Sequence, residues 1–112
     1  MKFNCQLKGS TFCDGQILLR NMMAGYLDMQ PSDLQLVRDY SCAQDKNCVQ
    51  VRYCHGNTDV KIGNVNKESA PLIAACMDTG DRAEVIALRL CGSADTNVGM
   101  FFTVNTTDQQ TY

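Results

Sequence analysis

The stretch Cys48-Val49-Gln50-Val51-Arg52-Tyr53-Cys54, followed by His55-Gly56-Asn57-Thr58-Asp59 and then by Val60, Ile62 and Val65, decides the fold class. Val49, Val51 and Tyr53 alternate with Cys48, Gln50, Arg52 and Cys54, the period-two pattern of a strand with one buried face. The residues after Cys54 carry turn chemistry, so the stretch reads as a hairpin. Residues 2–8 alternate in the same way, with Phe3, Cys5 and Leu7 against Lys2, Asn4, Gln6 and Lys8. Thr11 stands three residues before Asp14 in a capping pattern, and Leu18, Leu19, Met22, Met23, Tyr26 and Leu27 recur at helical spacing, which predicts a helix to about Asp28. Residues 31–41 read as a connector. Ser69, Pro71 and Gly80 frame a second helix over about 70–79 with Leu72, Ile73 and Cys76 on one face. Strands over 84–91 and 99–105, joined through 92–97, close the chain. This order predicts a single α+β domain over residues 1–112. It is a two-layer sandwich with both helices on one face of an antiparallel sheet, of ferredoxin-like or RNA-recognition-motif-like plan.

The 112 residues are 45% hydrophobic, enough for a real core. Ten Lys and Arg against twelve Asp and Glu leave a net charge of −2, so no overall basic field is present to hold a phosphate backbone. On that ground nucleic acid is excluded as a partner. No apolar run approaches the roughly 20 residues that cross a bilayer, so no membrane partner is expected. Met1-Lys2-Phe3-Asn4-Cys5-Gln6 lacks the apolar core of a signal peptide. The chain therefore reads as a mature secreted protein to which Met1 was added.

Seven cysteines leave one thiol over if the rest pair. Cys42, Cys48 and Cys54 are separated by five residues each, and the tight ligand pairs of a structural zinc site are missing, so no metal is expected. Strand alternation for Cys5 and the apolar stripe of the second helix for Cys76, with Cys13 near them, put these three between the layers; alternation puts Cys48, Cys54 and Cys91 on the outer side, with Cys42 in the loop leading to it. Cys48 and Cys54 lie roughly 20 Å apart along one strand and cannot bridge each other. Two outer patterns stay open: Cys42–Cys48 with Cys54–Cys91, or Cys42–Cys54 with Cys48–Cys91. Two of Cys5, Cys13 and Cys76 supply a third bridge, which makes the sandwich disulfide-stapled.

His55 is the only imidazole, and nucleophile-elbow, phosphate-loop, dinucleotide and zinc-protease motifs are all missing. No catalytic residue and no cofactor are assigned. The alternative is a secreted toxin-like or RNA-active domain, with His55, Glu84 or Glu68, and Arg52 as acid, base and phosphate clamp. Phe101 points outward beside Thr103 and Asn105, and with Gln50, Arg52 and Arg89 it forms the interface candidate on the outer face. Asn105-Thr106-Thr107 is the only glycosylation sequon.

Cys5-Gln6-Leu7-Lys8-Gly9-Ser10 with Cys13 close behind, the evenly spaced Cys42, Cys48 and Cys54, and then Cys76 and Cys91 resemble the small cysteine-rich secreted effectors of plant-pathogenic fungi. The likeness is to the paired avirulence and secreted-in-xylem type and covers the whole chain in length and cysteine layout. It implies a non-enzymatic virulence protein, secreted to the apoplast or moved into host cells. Such a protein works by binding a second secreted effector and is detected by host plant proteins.

Overall fold

The computed structural model describes residues 1–93 and 97–108. The strands are β1 (Lys2–Lys8), β2 (Leu34–Arg38), β3 (Val49–His55), β4 (Thr58–Val65), β5 (Arg82–Cys91) and β6 (Gly99–Thr107); the helices are α1 (Gly15–Met23) and α2 (Ala70–Asp78). Single 3-10 turns occupy Ser10–Phe12 and Pro31–Asp33. All six strands join one antiparallel sheet in the order β2-β3-β4-β1-β6-β5.

The hairpin is built as the sequence demands. His55 pairs with Thr58 across a two-residue loop, and Gly56 takes the left-handed conformation (φ 58°) that a tight turn matched to strand twist requires at its first position. Val49, Val51 and Tyr53 are buried while Gln50, Arg52 and Cys54 are half-buried on the other side.

The two-layer sandwich is the expectation that fails. The sheet curls into a half-barrel that wraps its own core, and two nine-residue helices fill in around it instead of forming a layer. Three features cause this. Residues 31–41, read as a connector, add a strand: Leu34–Arg38 pairs with β3 over five residues. Bulges at Val51/Arg52 and at Val85/Ala87 place extra residues in β3–β4 and β5–β6, which bends a ladder and increases its twist. Strand β1 pairs with β6 over Lys2–Gln6 but with β4 only at Leu7 and Lys8. The sheet therefore splays at β1, and its two edges approach each other, so that Pro31–Leu36 and Arg82–Val85 flank one cavity of about 410 Å³.

Helix α1 stops at Met23, not near Asp28, because the Tyr26 N–H bonds the Asn21 carbonyl at 2.9 Å and turns the chain. Tyr26, placed by periodicity on the apolar stripe, is 86% exposed. The Thr11–Asp14 capping pattern does not operate: Ser10–Phe12 forms its own turn, and Asp14 precedes the helix with no side-chain cap. In α2 the buried residues are Ala70, Ile73 and Ala74, and Leu72 faces out. The connection 92–97 includes residues 94–96, which lie outside those described. No helix among the described residues is long and apolar enough to cross a membrane.

The disulfide staples are also corrected. All seven cysteines are free thiols. Cys54 stands beside the start of β2, which faces the start of β5, whereas Cys91 ends β5 nine residues further on. Cys48 in turn is separated from β5 by β4, β1 and β6. The straight sandwich that brought these cysteines together on one flat face does not exist.

Gln16 ties α1 to the entry of β6. Its Nε2 donates to the Val98 carbonyl at 2.6 Å and to Ser10 Oγ at 2.8 Å, and its Oε1 accepts from the Val98 N–H at 3.0 Å. Val98 is buried, so Gln16→Ala leaves two of its backbone groups unpaired away from water. We expect a loss of about 1–3 kcal/mol in urea denaturation; an unchanged midpoint would show that water replaces the amide.

Candidate binding groove on the outer sheet face

The alternation that buries Cys5 and Leu7 in β1, and Met100, Phe102 and Val104 in β6, turns Asn4, Gln6, Phe101 and Thr103 outward. Register aligns them into rows. Arg89 on β5, Phe101 on β6 and Gln6 on β1 are directly opposed, as are Ala87, Thr103 and Asn4 one step along. The loop after β4 walls one side, because Asn66 clasps the β1 backbone: its Oδ1 accepts from the Gln6 N–H and its own N–H donates to the Gln6 carbonyl, at 2.9 and 3.1 Å. The result is a groove of about 570 Å³ lined by Asn4, Gln6, Asn66, Arg89, Phe101 and Thr103, among others.

The Arg89 guanidinium lies over the Phe101 ring, 4.6 Å from its centroid. It has no carboxylate partner among the described residues, which leaves its N–H donors for a ligand. The Gln6 side-chain amide is likewise unpartnered among the described residues, and the Asn4 side chain accepts from Thr103 Oγ1 at 3.4 Å. Around the groove, Lys2, Lys8, Arg82 and Arg89 face outward from β1 and β5 against one acid on those strands, Glu84, with Glu68 at the rim beside Asn66. The surface is thus locally cationic in a chain whose net charge is −2.

The fold divides the four interface candidates into two separate pairs, Arg89 with Phe101 in the groove and Gln50 with Arg52 away from it. Gln50 and Arg52 lie on β3, where each is already engaged. Arg52 donates to Asp59 at 2.8 Å and to Gln50 Oε1 at 3.0 Å, and Gln50 donates to Asp39 at 3.0 Å. The residues weighed for RNA cleavage are paired separately: His55 Nδ1 meets Asp33 at 3.0 Å, Glu84 meets Arg82 at 3.4 Å, and Glu68 accepts from Asn66 at 3.0 Å. Asn105, the sequon residue, is half-buried on β6 and donates to Thr107 Oγ1 at 3.3 Å.

Among the cysteines, Cys5 is in the core, and burial pushes its thiol up despite a hydrogen bond with Ser69. Cys48 is buried as well, on the side of Gln50, where its thiol meets Asn64. Its thiol is pushed up to about 11, first by burial and then by the neighbouring Cys42 thiol. Cys54 donates to Asp59 at 3.4 Å; Cys13, Cys42, Cys76 and Cys91 are half-buried. Asn4 and Gln6 were visible as the polar half of the β1 alternation, but their role was not. Asn66 had no sequence signal, because only the fold carries that loop back to β1.

No family model matches the chain, and no curated protein matches it. Two solved structures do. A protein from Lactobacillus plantarum superposes with a TM-score of 0.64 at 16% identity, covering 90% of this chain and 88% of that one. The HIRAN domain of human HLTF superposes with a TM-score of 0.56 at 19% identity, covering 91% of this chain and 74% of that one. The chain shares their fold. That likeness, one of fold alone, replaces the ferredoxin-like plan; the exclusion of nucleic acid as a partner fails on the local charge of the outer face. The exclusion rested on net charge, which averages over the whole surface and is blind to the cationic outer face of β1, β6 and β5. The two likenesses, to a bacterial and a human protein, do not bear on the effector resemblance.

At the other end of the molecule, Arg38 donates to Asp78 at 2.9 and 3.1 Å and to the Cys48 carbonyl at 2.8 Å, and Tyr40 donates to Asp78 at 2.7 Å. Arg38, then Tyr40, hold the Asp78 carboxyl below the usual aspartate range. A lowered folded pKa contributes stability that is complete above the ordinary aspartate pKa of about 4 and is lost as the pH falls through the folded value. Thermal midpoints should hold down to about pH 5 and drop below about pH 4, less steeply for Asp78→Asn. An equal acid drop in the variant would remove Asp78 from the acid response.

Proposed function

We propose that this domain is a binding module that holds single-stranded nucleic acid in the outer-face groove. The observation that carries the reading is the Arg89–Phe101–Gln6 row: a guanidinium without a carboxylate partner stacked over an aromatic ring, with a free amide opposite on the next strand. Open sheet faces that bind unpaired strands stack bases on aromatic rings, hold phosphates with cations and read base edges with amides. A base inside a duplex has both faces covered by its neighbours, so only an unpaired strand can use Phe101. The shared fold with a HIRAN domain supports the same direction. The effector resemblance rests on cysteine layout and length, and the groove neither uses nor requires it.

Fluorescence anisotropy with a labelled single strand of about ten nucleotides tests this. The single strand should bind at low salt, and a duplex of the same sequence should bind about tenfold or more weakly. Three cations within reach, Lys2, Lys8 and Arg89, limit the slope of log K against log salt to about −2. Equal binding of duplex and single strand, or no binding at low salt, contradicts the proposal.

A further inference from the structure

Gln6 is held more firmly than its neighbours on the outer face. Its backbone N–H and carbonyl are both bonded to Asn66, in addition to its place opposite Phe101 in the β1–β6 ladder. Opposed side chains in such a ladder have Cβ atoms about 4.5–5.5 Å apart. A planar base stacked with the Arg89–Phe101 pair therefore presents an edge to the Gln6 amide, whose donor and acceptor no other described side chain uses. An amide pairs bidentately with the adjacent N6–H donor and N7 acceptor of adenine. Cytosine and thymine offer no such purine edge. The groove has no carboxylate directed at this position: Glu84 bonds Arg82 on the far side of the bulge, and Glu68 bonds Asn66.

Resting on the nucleic-acid reading above, we propose that Gln6 is a specificity-determining residue that selects adenine for the base stacked on Phe101. Asn66 is the positioning residue that fixes it. Adenine reaches such a site either within a strand or as a free nucleotide, and the chemistry at Gln6 is the same for both.

The test is anisotropy with oligo(dA), oligo(dC) and oligo(dT) of about ten nucleotides, with adenosine monophosphate as a competitor. The wild-type protein should prefer oligo(dA) by about tenfold, within the range of a good bidentate contact. Gln6→Ala should bring the three strands to similar, weaker affinities, since the Phe101 and Arg89 contacts persist. Gln6→Glu, which accepts from the cytosine amino group, should move the preference to oligo(dC). Monophosphate that displaces oligo(dA) as well as unlabelled oligo(dA) does would assign the adenine site to free nucleotide. Affinities within about twofold across the three strands for the wild type, or an adenine preference kept by Gln6→Ala, would overturn the inference while leaving nucleic-acid binding intact. Failure of all three strands to bind would instead remove the reading on which it rests.

Discussion

Gly15→Ala is expected to destabilise the domain by about 3 kcal/mol or to prevent folding, at the upper end of what overpacking costs. A Cβ at Gly15 would lie 2.1 Å from the Ile62 carbonyl oxygen and 2.9 Å from both the Ile62 carbonyl carbon and Ser10 Cβ. The contact is with backbone inside a strand, so no side-chain rotation can relieve it. Helix α1 would have to lift off β4, withdrawing the fully buried Leu19 from the core and pulling Gln16 from Val98. Urea denaturation followed by circular dichroism measures the loss. A stability within about 0.5 kcal/mol of wild type, as for a surface change, would mean that α1 does not pack on β4 at this distance.

The second large effect is on binding. Phe101→Ala should weaken single-strand affinity by roughly 5- to 150-fold, because base–aromatic stacking contributes about 1–3 kcal/mol per base. The ring is half-buried on the outer face, whereas its neighbours Met100 and Phe102 carry the core, so the variant should remain folded. Phe101→Tyr should keep most of the affinity, which separates loss of a π-face from loss of shape. Arg89→Ala should weaken binding too and make the salt slope shallower by about 0.7, the contribution of one phosphate on a single strand. A Phe101→Ala protein that binds as tightly as wild type would take stacking out of the account.

How far the sequence could be read depended on which interactions set each element. The β3–β4 hairpin and the alternations of β1 and β6 were legible because burial on one face imposes period two on a strand whatever its neighbours are. That alternation also placed Phe101 and Arg89 outward correctly. Strand β2 was not legible: Leu34-Gln35-Leu36-Val37-Arg38 is short, Val37 is exposed, and its partner β3 is what makes it a strand. The half-barrel was hidden for a related reason. Bulges at Val51/Arg52 and Val85/Ala87 are properties of paired strands: Gly63, opposite Val51, stands at the first step, but the second leaves no glycine or proline as a sign. With the curl missed, Cys91 was given partners, Cys54 or Cys48, that the folded chain separates from it, whereas the Cys42 and Cys48 thiols do lie side by side. Cys48 keeps the side of Gln50, since its thiol meets Asn64 directly opposite Gln50, but it is buried there beside the Cys42 thiol, which the alternation alone did not show. The groove was half visible. Its aromatic and its cation could be named, but the amide wall at Asn66 depends on β1 parting from β4 after two paired residues.

The central claim is that the outer face of β1, β6 and β5 is where a single strand binds, and a titration of 15N-labelled protein followed by amide chemical shifts tests it most directly. On adding an unpaired strand of about ten nucleotides, the amides of Asn4, Gln6, Asn66, Arg89, Phe101 and Thr103 should shift together with one affinity. Those of α1 and of the Arg38–Tyr40–Asp78 cluster should stay in place. Shifts confined to the helices or to the Asp78 end, with the outer face unmoved at saturation, would contradict the account.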